Sequence, residues 1–236
     1  NSGLFFGSEL KSIFALGVEK KIDNYALYEF MLNSFIYEPH TGFENVFKVK
    51  AGEFLEYDLK ENIILSKTNY WSPQNKTLNN KYLLKHNYVN SFKKIDDEIS
   101  DSITSHTLSD VPVCLFFSGG VDSSIILSKL KDNITPIIFK NNSNQEIKKD
   151  SVTSNDYIYA KKIAKYFNKR VIEVSSTQSN TKEQFINSIK TTAKFSEEPI
   201  ADLTFFSTMN LSKEAKKLGF KVALSGMGAD EMFAGY

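Results

Sequence analysis

A single cysteine, Cys114, stands in 236 residues, so no intrachain disulfide can form. It falls inside an apolar run, which predicts a core residue rather than a nucleophile. Charge of one sign is missing too. Lysine and arginine number 29 against 28 aspartates and glutamates, a net of +1. That balance offers no broad field for nucleic acid or a membrane surface, so any bound anion needs a local site. No apolar stretch approaches the ~18 residues of a membrane span. No signal peptide is visible, and a cytoplasmic location is expected. The three histidines, His40, His86 and His106, lack metal-ligand spacing, and no Ser/His/Asp arrangement can be read out. The GxxxxGK(S/T) and GxGxxG patterns are absent, and so are repeats and low-complexity tracts. What remains is an ordinary globular composition, 41% apolar, with length for one domain and part of another.

The stretch with the most information is Phe116-Phe117-Ser118-Gly119-Gly120-Val121-Asp122-Ser123-Ser124. An apolar run from Val111 to Phe117 leads in, and Ile125, Ile126 and Leu130 follow as the apolar positions of a helix. This predicts a buried strand, a glycine turn and a helix start. Paired glycines let the backbone approach a ligand closely. Free N–H groups and the positive dipole end favour an anion there. Ser118, Ser123 and Ser124 add hydroxyl donors, and Asp122 suits a phosphate only if a cation such as Mg²⁺ bridges the two. Two glycines alone would equally serve a serine-capped strand-to-helix turn. The whole string SGGVDSS resembles the pyrophosphate-binding loop of the ATP-pyrophosphatase enzymes, which cleave ATP between its α and β phosphates.

Upstream, residues 4–6 are strand-like. Ser8 is placed to cap a helix that Gly17 ends, and Asp23 to cap a second through Ala26, Leu27, Phe30 and Met31. A turn from Pro39 to Gly42 precedes strand-like Val46-Phe47. Glu53 to Asp58 and Asn62 to Leu65 suggest a hairpin. Pro73 to Asn80 reads as a linker. Leu84, Tyr88, Phe92, Ile95, Ile99 and Ile103 recur at spacings of three and four, predicting a long amphipathic helix. Strands are expected at 111–117, 135–139, 170–174 and 220–224, with helices at 123–131, 155–167, 181–193 and 204–217. That alternation implies a doubly wound parallel α/β sheet with ligands beyond the carboxyl ends of its strands.

A second glycine loop, Ser225-Gly226-Met227-Gly228-Ala229-Asp230-Glu231, follows the last expected strand. It could be a helix N-terminus with two solvated acids. Beside the first loop it could instead supply Asp230 to a metal–nucleotide site facing Asp122. Glu198 and Asp202, around Pro199, could line that site or cap the helix after 203.

Together these stretches resemble the glutamine-hydrolysing asparagine synthetases. Phe6-Gly7-Ser8-Glu9-Leu10-Lys11 is similar to the family's FASELK. Lys50 to Leu59, then Tyr70-Trp71, look like the last strands of its glutaminase domain. Ser109 to Ser124 is close to SDVPxGxxLSGGxDSS. Glu198-Pro199-Ile200-Ala201-Asp202 resembles DEPxAD, and Leu224 to Tyr236 resembles LSGEGADExFGGY. The resemblance implies an adenine nucleotide alpha hydrolase-like sheet in residues 74–236, truncated. Residues 1–73 before it would be the C-terminal remnant of an α+β glutaminase domain. The chain starts at Asn1, not methionine, and stops inside a glycine motif, so a piece of a longer polypeptide is expected. It should lack glutaminase activity, because the family's N-terminal cysteine nucleophile has no counterpart here.

The implied chemistry is carboxylate activation: ATP with Mg²⁺ adenylates a carboxylate, aspartate or another, and ammonia or glutamine nitrogen makes the amide. By the same resemblance Ser118, Gly119, Gly120, Ser123 and Ser124 hold phosphates. Asp122 and Asp230 hold Mg²⁺, and Phe117, Phe139, Ser225 and Gly226 meet the nucleoside. Met227 stands where the family has a glutamate that assists the incoming amine, which separates amidation from adenylation. Related amidotransferases with another acceptor, and a nucleotide-binding homologue without turnover, are the competing expectations. Partners are expected to be small molecules, not nucleic acid or membrane, with a homodimer as the candidate assembly.

Overall fold

The computed structural model describes residues 3–72, 88–130, 133–140, 152–175, 181–202 and 204–235. The expected linker at Pro73 to Asn80, Leu84 of the long stripe, and Tyr236 lie outside them. The described chain forms two compact units, Asn1–Lys85 with Ile186–Leu203, and His86–Phe185 with Thr204–Tyr236.

In the first unit α1 spans Leu10–Ala15 and α2 Asn24–Asn33. Asp23 caps α2 as expected, its carboxylate accepting from the N–H groups of Tyr25 at 2.8 Å and Ala26 at 3.3 Å. Ser8 does not cap α1. Glu9 holds the N-cap position without a side-chain bond, because α1's first N–H is taken from elsewhere in the chain. β1 (Glu53–Asp58) and β2 (Ile63–Asn69) pair antiparallel from Glu53 opposite Asn69 to Asp58 opposite Ile63, with a bulge at Glu56/Tyr57. The Asp58 carboxylate closes their turn by accepting from Lys60 and Glu61 N–H at 2.7 and 3.0 Å. These bonds, Glu61's first, hold its carboxyl below the usual range. Residues 4–6 and Val46-Phe47 are not strands. Phe47 makes only an isolated bridge to His40, too little pairing to order a ladder.

The second unit contains α3 (Tyr88–His106), β3 (Val113–Phe116), α4 (Val121–Lys129), β4 (Thr135–Lys140), α5 (Val152–Tyr166) and β5 (Ile172–Ser175). After the start of α6 (Lys182–Ala193) it resumes with α7 (Thr204–Lys217), β6 (Val222–Leu224) and α8 (Ala229–Phe233). The strands form one parallel sheet in the order β5-β4-β3-β6. Alternate residues point to opposite faces. Val113, Leu115 and Phe117 join Ile138, Leu127, Ala160 and Ala164 on the face covered by α3, α4 and α5. Cys114, Phe116, Ile137 and Phe139 join Ala215 and Leu211 on the face covered by α7. The α/β architecture expected from the alternation is therefore present, with each expected strand within two residues of its place.

Two stripes are adjusted. In α4 Leu130 is buried and Ile126 packs on the core as expected, but Ile125 is 37% exposed, and Ser123 and Leu127 complete the buried face. Along α3 the described residues pack only at the end: Ile103 is buried and Ile99 lies against it, but Phe92 is 70% exposed.

Cys114 is fully buried between the sheet and α7, and burial pushes its thiol up to about 11. At pH 8 it should stay protonated and shielded. A thiol-disulfide reagent should label the unfolded chain at once and the native protein only as fast as it opens. Immediate native labelling would contradict this packing.

Candidate functional site

The site is built on the carboxyl ends of two neighbouring parallel strands. β3 and β6 pair with Leu115 opposite Leu224, so the loops that follow them leave the sheet at the same edge. Ladder bonding extends to Phe117, whose N–H donates to the Ile137 carbonyl at 3.0 Å. The chain then turns through Ser118–Gly120 and enters α4 at Val121.

Gly119 makes the turn possible for two reasons. Its φ is +85°, in the left-handed region, and it lies against α5: a Cβ there would sit 2.7 Å from the Ala160 nitrogen and 2.8 Å from its Cα. Gly226 makes the second close approach. A Cβ there would meet the Asp122 Cβ at 2.9 Å and the Ser123 nitrogen at 3.1 Å. The two glycine loops are thus packed on one another, with Asp122 at their contact.

Gly120 is the N-cap of α4, and no side chain caps the helix. A first helical turn leaves N–H groups without intrahelical acceptors, at the positive end of the dipole. The serines shape the loop. Ser118 Oγ accepts from Gly120 N–H at 3.2 Å and shares a 3.0 Å bond with Ser123 Oγ. Ser123 and Ser124 both donate to the Gly120 carbonyl, at 3.2 and 2.7 Å. Ser118 is exposed, Ser124 half-buried and Ser123 buried.

Asp122 lies in the first turn of α4, and Asp230 in the first turn of α8 beside Glu231. Both aspartates are half-buried. Among the described residues no group of three or more His, Cys, Asp or Glu could hold a metal ion. Mg²⁺ takes one or two carboxylates and fills its remaining positions with water and phosphate oxygens. Asp122 at an uncapped helix start, against the loop that leads to Asp230, suits that donor set.

The remaining expected positions divide. The Phe117 ring is buried in the core on the α5 face, and the residue's N–H is taken by the Ile137 carbonyl. Phe139 is half-buried on the opposite face among Phe116 and Ile172. Ser225 is exposed at the end of β6, and Met227 is 83% exposed between two glycines. Glu198 forms an ion pair with Lys48 inside the first unit. Ala160 was missed by sequence reasoning although its backbone seats Gly119. The small pair Ala160 and Ala164, one helical turn apart, is the signal that would have found it.

A family model described as asparagine synthase matches residues 94–236. One described as a glutamine amidotransferase domain matches residues 1–71. The chain is 30% identical over 237 residues to glutamine-hydrolyzing asparagine synthetase 1 of Bacillus subtilis, covering 100% of this chain and 34% of that protein. It is also 30% identical over 241 residues to the putative glutamine-hydrolyzing asparagine synthetase 2 of Methanocaldococcus jannaschii, covering 98% and 42%. A putative glutamine-hydrolyzing asparagine synthetase of Mycobacterium bovis is 28% identical over 244 residues, covering 99% and 34%. The chain thus spans about a third to two fifths of the length of these curated relatives.

Proposed function

Because the chain belongs to the asparagine synthase family, we propose that it carries the nucleotide site of an ATP-dependent amide-forming ligase. In that reading an acceptor carboxylate, aspartate by analogy with the named relatives, attacks the α phosphorus of ATP. Pyrophosphate leaves, and ammonia then displaces AMP from the activated acyl group to give asparagine. Residues from about 74 onward would belong to this ligase part, and residues 1–73 would be the C-terminal remnant of an amidotransferase-like part, without glutaminase activity of their own. The cytoplasm, with its ATP, is the compartment this reaction suits. Among the described residues no helix is long and apolar enough to cross a membrane.

The observation that carries the reading is the contact of Gly226 with Asp122. It joins two glycine loops, each bearing an aspartate, at adjacent strand ends. Backbone N–H groups at the start of α4 would bind the departing phosphates, with Ser118, Gly119, Gly120, Ser123 and Ser124 shaping the cradle. The serine hydroxyls would exchange internal acceptors for phosphate oxygens. Asp122 and Asp230 would hold Mg²⁺, which supplies charge neutralisation on pyrophosphate. Phe117, Phe139, Ser225 and Gly226 would frame the nucleoside.

The test is ATP–pyrophosphate exchange by the intact protein, with aspartate as the acid. Aspartate-dependent exchange is expected. Asp122→Asn should weaken ATP binding in Mg²⁺ and leave the weaker binding in EDTA unchanged. Equal losses in both conditions would rule out metal bridging at Asp122, and ATP binding without exchange for any acid would favour a binding protein.

A further inference from the structure

We propose that Ile186–Leu203 is a tie between the two family-matched parts, with Lys11 and Lys48 as the positioning residues that hold it. The segment lies within the asparagine synthase match, yet it belongs to the compact unit built by the amidotransferase-like residues. Its root is closed in the α/β unit. Phe185, just before it, and Phe206, just after it, bring their rings to 6.2 Å.

The far part is held by five contacts inside the first unit. The Glu197 carboxylate accepts from the Leu10 N–H. That donor belongs to the first turn of α1, which Glu9 leaves uncapped, and a carboxylate there satisfies an orphan N–H and favours the dipole. Lys11 balances the charge, its ammonium 3.6 Å from Glu197 and 2.8 Å from Glu9. The same ammonium donates to the Lys194 carbonyl at 3.3 Å and stands 5.8 Å from the centre of the Phe195 ring. Lys48 pairs with Glu198, and their side chains are only 29% and 28% exposed. That pair is less screened than one on open surface, and removing either member leaves a partly desolvated charge.

The tie ends where α7 begins. α7 runs into β6, and β6 into the Ser225–Asp230 loop that meets Asp122. Holding Glu197 and Glu198 would restrain the chain that leads into α7, the element before the second loop. This consequence rests on the proposed nucleotide reading. The tie itself does not.

Hydrogen exchange on the intact protein tests it, comparing the wild type with K48M, E198Q and the charge swap K48E/E198K. In both single variants, peptides over 186–203 and the first turn of α7 should exchange about tenfold faster, while β3 and β4 keep their protection. The swap should return exchange towards wild type. Half-saturating ATP in pyrophosphate exchange should rise several-fold in the single variants, with maximal rate retained, and recover in the swap. Unchanged protection in both single variants, or no recovery in the swap, overturns the tie. Loosened protection with unaltered ATP half-saturation overturns the positioning role. If the wild type exchanges no pyrophosphate, the reaction reading fails while the protection data still decide the tie.

Discussion

Gly119→Ala is expected to lower the melting temperature by about 5–15 °C, whereas Gly120→Ala should move it by about 1 °C or less. The two glycines are neighbours, but they do different work. At Gly119 an added Cβ would stand 2.7, 2.8 and 2.9 Å from the nitrogen, Cα and Cβ of Ala160. Those atoms belong to helix α5 and cannot rotate aside. The φ of +85° adds left-handed strain, and strain with overpacking together cost about 2–4 kcal/mol. At Gly120 the backbone is extended, φ −70° and ψ 167°, and the nearest atom to a new Cβ is Ser118 Oγ at 3.4 Å. Alanine there should fold normally. It should instead weaken ATP binding, because its methyl group stands at the N-cap where phosphate would approach. Calorimetry and ATP titration of both variants check the contrast. A Gly119→Ala protein melting with the wild type would mean that the loop is not seated on α5.

Met227→Glu should raise amide formation about 10²–10⁴-fold, the usual contribution of a general base, while acid-dependent pyrophosphate exchange stays within a small factor. Met227 is 83% exposed in the loop between Gly226 and Gly228, so a glutamate fits without repacking. Ammonia must lose a proton as it attacks the activated carbonyl, and a thioether cannot take one. In the proposed reading, exchange would draw on phosphate and metal contacts at Asp122, Asp230 and α4, none of which this substitution alters. Both rates should be measured on the intact protein with aspartate and ammonium. If the Met227 protein already forms asparagine as fast as it exchanges pyrophosphate, another group supplies the base.

The strand–loop–helix around Gly119 was legible because its signals are local: an apolar run, two glycines and a helical pattern. Cys114 was placed in the core by the continuous apolar run around it, whereas the face of β3 it occupies, against α7, came only from the structure. In the α4 stripe, Ile126 and Leu130 pack as expected, Ile125 does not, and the buried Ser123 was overlooked because it is polar. Ser123, Leu127 and Leu130 share one face at helical spacing, and Ser123 is tolerated there because its hydroxyl donates to the Gly120 carbonyl. The α1 cap was misassigned for the same kind of reason. Ser8 has a good capping side chain, but the acceptor that serves Leu10 is Glu197, far outside any sequence window. The polar turn at Phe195 to Pro199 carries no periodicity that announces its partners, so its place in the first unit became apparent only from the structure. The neighbouring positions of the two glycine loops were anticipated from the strand-end rule, but their packing through Gly226 and Asp122 was not.

The bond from Leu10 to Glu197 joins residues 187 positions apart. At ribosomal speeds of about 5–20 residues per second, the acceptor is made roughly 10–40 s after its donor. Throughout that interval the nascent chain holds α1 without its capping carboxylate and Lys48 without its counter-ion. Of the two units, the one that holds Leu10 and Lys48 is therefore completed only by residues synthesised after β3, β4 and β5 of the other.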